Sequence, residues 1–177
     1  MRIIAGKYRG VPLYEFEGYE VRPTSDRAKE SLFNILQFSI VGKSFLDLFC
    51  GSGSIGIEAI SRGAERVVFT DGAKKSVELT RKNLSKIKEN RDVILTDAIA
   101  YLSTVREKFD YIFIDPPYNS EVGEKALQII DERKLLKNGG KIIFEKDSEI
   151  KLVPLGLEVV DVRKYGKAYL TFITAKE

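Results

Sequence analysis

The chain of 177 residues suits one domain, or one domain with a small appendage, and its 44% hydrophobic residues suffice for a core. The single cysteine excludes an internal disulfide and, with no histidine in the chain, argues against a transition-metal site, so we expect no metal. The net charge of +3 is mild and gives only weak support for a polyanionic partner. No apolar run approaches the roughly 18 residues of a membrane span, which predicts a cytoplasmic protein without a membrane partner.

The N-terminal 22 residues have the pattern of short β structure. Two apolar runs, residues 3–4 and 11–13, flank a turn-prone segment between Gly6 and Gly10. Lys7 and Arg9 lie in this segment, and no acidic residue precedes Glu15. The segment is predicted to form a basic, hairpin-like turn.

A helix is predicted to follow this segment. Ser25 is a suitable N-cap, and Asp26 would lie in the first turn, where an acid is favourable. Helical spacing predicts that four apolar residues face inward: Ala28, Leu32, Ile35 and Leu36. Gly42 then interrupts the helical pattern. We predict a small extension in residues 1–40 and a main domain in residues 41–177.

From Ser44 onward, apolar runs of strand length alternate with segments of helical periodicity. Five runs are predicted as strands: residues 45–49, 66–70, 93–95, 111–115 and 141–145. Helices are predicted over about residues 54–62, 73–89, 98–105 and 121–134. The residues predicted to face inward on the two longer helices are Ala73, Val77, Leu84, Ile87, Val122, Ala126, Ile129 and Ile130. This alternation indicates βαβ units and a mostly parallel sheet with helices on both faces.

The C-terminal part has a different pattern. Residues 157–162 and 168–173 are β-type runs joined only by residues 163–167, which include Gly166. Because no helix fits between them, they predict a β-hairpin, and the sheet should finish with an antiparallel strand. The predicted fold is therefore α/β and Rossmann-like: a seven-stranded, mostly parallel sheet with a small N-terminal β-hairpin and helix extension.

The segment Gly51-Ser52-Gly53-Ser54-Ile55-Gly56 fits the pattern G-x-G-x-x-G between a predicted strand and a predicted helix. Asp71 follows Gly51 by 20 residues, at the end of the second strand, where its carboxylate can accept hydrogen bonds from ribose hydroxyls. The glycines alone would also suit a tight strand–helix turn. Together with Asp71 they predict a site for a nucleoside-containing cofactor.

Two cofactors fit this pattern, a nicotinamide dinucleotide and S-adenosylmethionine. Asp47 precedes the glycines within the first strand, where an acid suits an ammonium group and disfavours a diphosphate. Asp97 ends the third strand and can accept a hydrogen bond from an adenine amine, although it would equally suit a helix cap. These acids favour S-adenosylmethionine. Cys50, a small and soft residue, is predicted to pack in the loop.

The tetrapeptide Asp115-Pro116-Pro117-Tyr118 follows the fourth predicted strand. Two prolines fix two φ angles and remove two backbone donors, so the nearby carbonyls act only as acceptors. The Asp115 carboxylate adds another acceptor, and Tyr118 adds a flat ring for stacking. A turn that merely ends the strand is the alternative, but the combination suits a planar group with an exocyclic amine.

These motifs, in this order and on these strands, resemble class I S-adenosylmethionine-dependent amino-methyltransferases, whose Rossmann-like fold is therefore expected here. The flanking segments narrow the resemblance to the RsmD-type 16S ribosomal RNA guanine-N2 methyltransferases. Those segments are residues 2–6, 9–10, 22–27, 30–36, 46–49, 56–64 and 165–166. The chain departs from the family pattern at Cys50, Asp71 and Lys29, where alanine, glutamate and arginine are usual, and Lys29 lacks the bidentate geometry of an arginine.

The resemblance implies an enzyme that methylates the N2 amine of a specific guanine in 16S ribosomal RNA, alone or within the small ribosomal subunit. It implies catalytic roles for Asp115, Pro116, Pro117 and Tyr118. The residues expected to bind the cofactor, S-adenosylmethionine, are Thr24, Asp47, Phe49, Gly51, Ser52, Gly53, Asp71, Asp97 and Ala98. The residues expected to contact RNA are Lys7, Arg9, Arg22 and Arg27. We expect a monomer.

In the implied mechanism, Asp115 and the Pro116 carbonyl accept the two N–H groups of guanine N2 and direct its lone pair toward the methyl group. Methylation of a DNA base or of a protein glutamine is the nearest alternative. A nicotinamide-dependent oxidoreductase and a non-catalytic ribosome-assembly factor are others. The lack of a separate DNA-recognition domain argues against the DNA substrate, the lack of histidine against the oxidoreductase, and the intact tetrapeptide against the non-catalytic factor. Methylation of a glutamine stays open as an alternative.

Overall fold

The computed structural model describes residues 1–17 and 26–177 and contains one seven-stranded sheet. The strands are β1 (Ser44–Asp47), β2 (Arg66–Asp71), β3 (Asp92–Leu95), β4 (Phe109–Ile114), β5 (Leu136–Lys146), β6 (Leu157–Tyr165) and β7 (Ala168–Ala175). The helices are α1 (Asp26–Leu36), α2 (Ser54–Ser61), α3 (Lys74–Lys86), α4 (Ala98–Thr104) and α5 (Val122–Arg133). No helix in these residues combines the length and apolar character needed to cross a lipid bilayer.

The strand order is β3-β2-β1-β4-β5-β7-β6. All pairs from β3 to β5 are parallel, whereas β7 is antiparallel to both β5 and β6. The predicted α/β, Rossmann-like class I methyltransferase fold is therefore confirmed, including the antiparallel last strand. The order reverses between β1 and β4, and open α/β sheets bind their ligands at such a point, outside the carboxyl ends of the strands.

Two apolar clusters cover the two faces of the sheet. One contains buried residues of α1, α2 and α3, and the other contains those of α4 and α5. Ile3 and Leu13 of the N-terminal segment belong to the first cluster, with 0% and 6% exposure. The N-terminal segment therefore shares the core of the main sheet.

That segment forms the expected hairpin, with an antiparallel bridge between Arg2 and Pro12. The Ile3 N–H donates to the Val11 carbonyl at 2.9 Å, and the Gly10 N–H donates to the Ile3 carbonyl at 2.8 Å. Gly6 and Gly10 adopt φ values of 90° and 86°, which an L-residue rarely reaches. The glycines therefore place the turn around Lys7 and Arg9.

The helix and strand predictions needed few corrections. Ile35 was predicted to face inward but is 39% exposed. The buried face of α1 includes Lys29 and Phe33 and does not include Ile35. Ala73 is the exposed N-cap of α3 and does not face inward, and α3 ends at Lys86 because Lys88 has a φ of 56°. Val122 and Ile129 are only half-buried. Strand β5 begins at Leu136, five residues before its predicted start at 141, because its first part pairs with Phe109.

Candidate active site

The glycine segment forms a tight turn between β1 and α2. The Gly53 N–H donates to the Cys50 carbonyl at 2.7 Å, and Gly51 and Gly53 have φ values of 53° and 83°. A Cβ atom on Gly53 would lie 2.8 Å from Cγ2 of Thr80, and one on Gly56 would lie 2.2 Å from the Phe69 ring. Glycine is therefore required both for the turn and for the close packing of α2 on the sheet.

Asp71 connects the end of β2 to this turn. Its Oδ2 atom accepts from the Gly51 N–H at 3.0 Å, and its Oδ1 atom accepts from the Ala73 N–H at 2.9 Å. Each carboxylate oxygen has a further lone pair, and the side chain is half-buried at the carboxyl edge of the sheet. Asp71 can thus order the turn and still accept hydrogen bonds from vicinal hydroxyls.

Asp47 lies beneath the turn, with an exposed fraction of 1%. Its Oδ2 atom accepts from the Gly56 N–H at 3.0 Å. Burial raises the pKa of Asp47 from its ordinary 3.8 to about 7; the Asp71 charge adds to this, and the Gly56 N–H opposes it. A cation bound above the turn would favour the ionised carboxylate.

The other predicted cofactor residues lie at the same edge. Asp97 is exposed and caps α4, since its Oδ2 atom accepts from the Ala100 N–H at 2.9 Å. Ala98 is 6% exposed, and Phe49 packs against the α4–α5 side of the core. Thr24 and Arg22 lie outside the described residues.

Two residues that the sequence did not single out support the glycine turn from α3. The Thr80 hydroxyl donates to the Gly51 carbonyl at 2.8 Å and lies 3.3 Å from the Cys50 sulfur. The Asn83 amide donates to the Ser52 carbonyl at 2.8 Å. Both are 0% exposed, on the same helix face as apolar Val77 and Leu84. Polar residues on an inward-facing side would have been a usable signal.

Cys50 is buried in the turn, as its predicted packing role requires. Burial raises the pKa of its thiol, and the Asp47 charge adds to the effect. The thiol is therefore unsuited to act as a nucleophile.

Asp115-Pro116-Pro117-Tyr118 begins where β4 ends, on the strand next to β1. Asp115 is half-buried. A Cβ atom on Gly123 would lie 2.9 Å from Cγ of Pro116, so α5 packs closely on this proline. The Pro117 carbonyl accepts from the Ser120 hydroxyl at 2.7 Å, and the Tyr118 ring is 75% exposed. This turn, residues 115–118, is called the proline turn below. It is fixed by α5 and by Ser120, while the Tyr118 ring faces solvent.

The acids Asp47, Asp71 and Asp97 follow or end three adjacent strands, and residues 47–56 include no lysine or arginine. This set of acceptors fits a cationic ligand with hydroxyl and amine groups, and it disfavours a diphosphate. S-adenosylmethionine has these groups. In residues 1–17 and 26–177, no cluster of three or more His, Cys, Asp or Glu side chains could hold a metal ion.

A buried ionic network joins the N-terminal hairpin to α2. Glu58, 0% exposed, accepts from the Ile4 N–H at 2.9 Å and the Ala5 N–H at 3.1 Å. It also forms ion pairs with Arg62 at 2.8 Å and with Lys29 at 3.5 Å. Lys29 is itself 0% exposed and donates to the Arg2 carbonyl at 3.0 Å. Burial lowers the pKa of Lys29, although Glu58 opposes the shift.

The basic hairpin turn lies at the opposite end of α2 from the glycine turn. The Lys7 N–H donates to the carbonyl of Ser61, the last residue of α2, at 2.8 Å. The Tyr8 hydroxyl donates to Glu89, beyond the end of α3, at 2.8 Å. Lys7 and Arg9 are exposed there, about 12 Å from the first turn of α2, as the helix rise gives.

Arg27 lies near the other end. Helices α1 and α2 run in the same direction, because Lys29 pairs with Glu58 and the Phe33 ring lies 5.3 Å from the Arg62 guanidinium. The first turn of α1, with exposed Arg27, is therefore on the glycine-turn side. Of the described basic residues predicted to contact RNA, Arg27 lies nearest the carboxyl edge of the sheet.

Known proteins are similar to this chain in sequence and in fold. A Bacillus subtilis protein named "Putative rRNA methyltransferase YlbH" is 37% identical over 173 residues, covering 94% of each chain. The Haemophilus influenzae "Ribosomal RNA small subunit methyltransferase D" is 38% identical over 160 residues, covering 86% of this chain and 82% of its own. A solved structure described as "Putative methyltransferase yhhF from Escherichia coli" superposes with a TM-score of 0.89 at 27% identity, over 99% of this chain and 98% of its own.

The model of the family described as "Conserved hypothetical protein 95" matches residues 1–174. That match covers the hairpin, the glycine turn and the proline turn alike. The chain belongs to this family, that of the RsmD-type methyltransferases.

Proposed function

We propose that this protein transfers a methyl group from S-adenosylmethionine to the N2 amine of a guanine in 16S ribosomal RNA. One observation carries the proposal: the turn Asp115–Tyr118 ends β4 directly beside β1, which leads into the glycine turn. An acceptor for an exocyclic amine and the acidic end of a nucleoside site are therefore neighbours at one sheet edge. The names of the two curated relatives support RNA as the substrate.

The glycine turn, Asp71 and Asp97 would hold S-adenosylmethionine by its ribose hydroxyls and adenine amine, and Asp47 would favour its cationic groups. When bound, this molecule supplies a methyl group made electrophilic by the attached sulfonium. Thr24, Phe49, Ser52 and Ala98 complete the proposed set. The protein contributes shape and a field of negative charge.

The role of Asp115 follows from the electronic structure of guanine. The N2 lone pair is delocalised into the ring, which makes the amine a weak nucleophile. If the Asp115 carboxylate and the Pro116 carbonyl accept its two N–H bonds, the nitrogen becomes more pyramidal and its lone pair is directed at the methyl group. The proton can leave after the new bond forms, so a strong base is not required.

Tyr118 would hold the extruded base. Its ring is 75% exposed at the turn, and stacking of a base on an aromatic side chain is worth about 1–3 kcal/mol. Residues 1–40 would act as an RNA-contact extension through Lys7, Arg9, Arg22 and Arg27. Because Lys7 and Arg9 lie at the far end of α2, an RNA that contacts them and Tyr118 together must follow the protein surface between them.

The proposal is tested by incubating the protein, as a monomer, with methyl-labelled S-adenosylmethionine and one of three substrates: naked 16S ribosomal RNA, small ribosomal subunits or DNA. The expected product is N2-methylguanosine, identified by mass spectrometry of digested RNA, in one or both ribosomal substrates. Label in DNA alone, in ribosomal protein alone, or at another position of guanine would refute the proposed activity.

A further inference from the structure

A cavity lies beside Tyr118, at the end of the sheet formed by β7 and β6. It has a volume of about 490 Å³ and is lined by Tyr118, Asp147, Lys164, Gly166, Lys167 and Tyr169. Volumes of this order accommodate a small organic ligand. Tyr118 therefore belongs both to the proline turn and to the lining of this cavity.

Strand register brings the other walls together at the carboxyl edge of the sheet. In the antiparallel pairs, Tyr169 of β7 lies opposite Lys146 of β5 and opposite Lys164 of β6. Directly opposed residues of antiparallel strands share a face, so Tyr169 and Lys164 lie side by side in the cavity wall. Lys146 continues this row outside the cavity, where it pairs with Glu124. Gly166, with a φ of 60°, turns the chain from β6 to β7 and places Lys167 at the same rim.

The lining has the chemistry of a nucleotide site. Lys164 and Lys167 are exposed, and neither forms an ion pair with a carboxylate in the described parts of the chain. The Lys164 ammonium lies over the Tyr169 ring, 5.3 Å from its centre, so the lining combines a cation with an aromatic side chain. Asp147 supplies an acceptor-only group. Two cations and one acid leave a net positive charge.

We propose that this cavity binds the nucleotide adjacent to the methylated one in a single RNA strand. Lys164 and Lys167 bind its phosphate, the Tyr169 ring contacts its base, and Asp147 accepts a hydrogen bond from its ribose 2′-hydroxyl. The proposal rests on the proposed function, since Tyr118 would then separate the target base from its neighbour. The cavity would fix which strand position reaches Asp115.

The test compares two double variants with equal loss of charge. K164A/K167A removes the cavity cations, and K108A/K176A removes two exposed lysines at the opposite, amino-terminal edge of the sheet. For K164A/K167A we expect the KM for RNA to rise about tenfold, with kcat and the affinity for S-adenosylmethionine unchanged. The control should retain the wild-type KM. An unchanged KM, or an equal rise in both variants, would overturn the proposal.

A binding measurement separates this proposal from the methylation activity. Fluorescence anisotropy with a labelled single-stranded RNA of about ten nucleotides should show weaker binding to K164A/K167A alone, with a salt slope smaller by about 0.7 per lost phosphate contact. If the wild type methylates no RNA, the proposed function fails, and this measurement still decides the cavity: unchanged affinity overturns it. Equal wild-type affinity for the matching DNA would overturn the 2′-hydroxyl contact.

Discussion

The side chain of Asn83 binds both backbone polar groups of Tyr14. The Tyr14 N–H donates to Oδ1 of Asn83 at 2.7 Å, and the Asn83 Nδ2 atom donates to the Tyr14 carbonyl at 3.0 Å. The same Nδ2 atom donates to the Ser52 carbonyl in the glycine turn at 2.8 Å. One buried amide therefore links the segment that follows the N-terminal hairpin to the candidate cofactor site.

Asn83→Ala should therefore weaken both stability and cofactor binding. The change removes three hydrogen bonds around a side chain that is 0% exposed, and each unsatisfied buried group costs about 1–3 kcal/mol. We expect the free energy of unfolding in urea to fall by about 2 kcal/mol or more. Calorimetric titration should show weaker binding of S-adenosylmethionine to the folded variant.

Asn90→Ala is the matched control, because Asn90 is exposed just beyond α3. It should leave both measurements unchanged. If Asn83→Ala unfolds at the wild-type urea concentration and binds S-adenosylmethionine normally, the link between Tyr14 and Ser52 has no energetic importance.

The buried pair Lys29–Glu58 makes a second prediction. In Glu58→Gln, the Lys29 ammonium would keep its burial and lose its negative partner, which typically costs about 3–5 kcal/mol. The hairpin would also lose one of the two carboxylate oxygens that accept from the Ile4 and Ala5 N–H groups. Glu30→Gln removes the same charge from an exposed position of α1 and should be nearly neutral. Equal urea midpoints for the two variants would contradict this account.

Local pattern was sufficient for most of the architecture. Apolar runs such as residues 111–114, followed by Asp115, identify a buried strand and its functional end, because parallel strands are covered on both faces. The glycine turn was predictable for a similar reason: the residues from Ser44 to Asp71, which include it, form one contiguous βαβ unit. The fold class and the edge of the sheet that contains the candidate site follow from these signals.

Contacts between distant parts of the chain were not predictable. Asn83 and Tyr14 are 69 residues apart, and no periodicity in either segment indicates that they meet. The position of the hairpin turn against Ser61 and Glu89 likewise depends on tertiary packing. Lys29 illustrates the same limit: its burial among apolar neighbours is compensated by Glu58, which lies on a different helix.

Asp47 should make both stability and ligand affinity depend on pH. Its pKa is raised by burial to about 7 in the folded protein, against 3.8 for the ordinary group. Between these values the folded state retains a proton that the unfolded state has lost, so the free energy of unfolding should fall as pH rises from 3.8 to about 7. Asp47→Asn should remove this contribution and be more stable than the wild type at pH 8.

The affinity for S-adenosylmethionine should change in the opposite direction. Above a pH of about 7 the Asp47 carboxylate is ionised and attracts a cation, so binding should strengthen as pH rises through that value. Calorimetry at several pH values should show this dependence for the wild type and for Glu30→Gln, which removes an exposed carboxylate outside the proposed cofactor site, but not for Asp47→Asn. The same pH profile in Asp47→Asn would assign the effect to another group.

Asp115→Ala should separate catalysis from cofactor binding. If the carboxylate orients the substrate amine, its removal should reduce the methylation rate about 100-fold or more, equivalent to about 2.7 kcal/mol, while S-adenosylmethionine binds normally. Asp115→Asn keeps one acceptor oxygen and should retain an intermediate rate. Single-turnover methylation and calorimetry are the measurements. A near-normal rate in Asp115→Ala would remove Asp115 from the mechanism.

The charge reversal K7E/R9E should affect long RNA and spare short RNA. Lys7 contacts Ser61, at the opposite end of α2 from the glycine turn, and Arg9 lies in the same hairpin turn, so a short strand at Tyr118 would not reach them. Filter binding of 16S ribosomal RNA across a salt titration should show weaker affinity and a smaller salt slope. A single-stranded RNA of about ten nucleotides should bind as it does to the wild type.

K108E/K176E reverses two exposed charges elsewhere on the amino-terminal edge and is the control for general repulsion of RNA. Equal losses in the two variants would mean that net charge, and not the hairpin turn, governs affinity. Unchanged affinity of K7E/R9E for long RNA at every salt concentration would exclude Lys7 and Arg9 as phosphate contacts. A selective loss for long RNA would instead require the RNA to extend from Tyr118 to the hairpin turn, because these sites lie at opposite edges of the sheet.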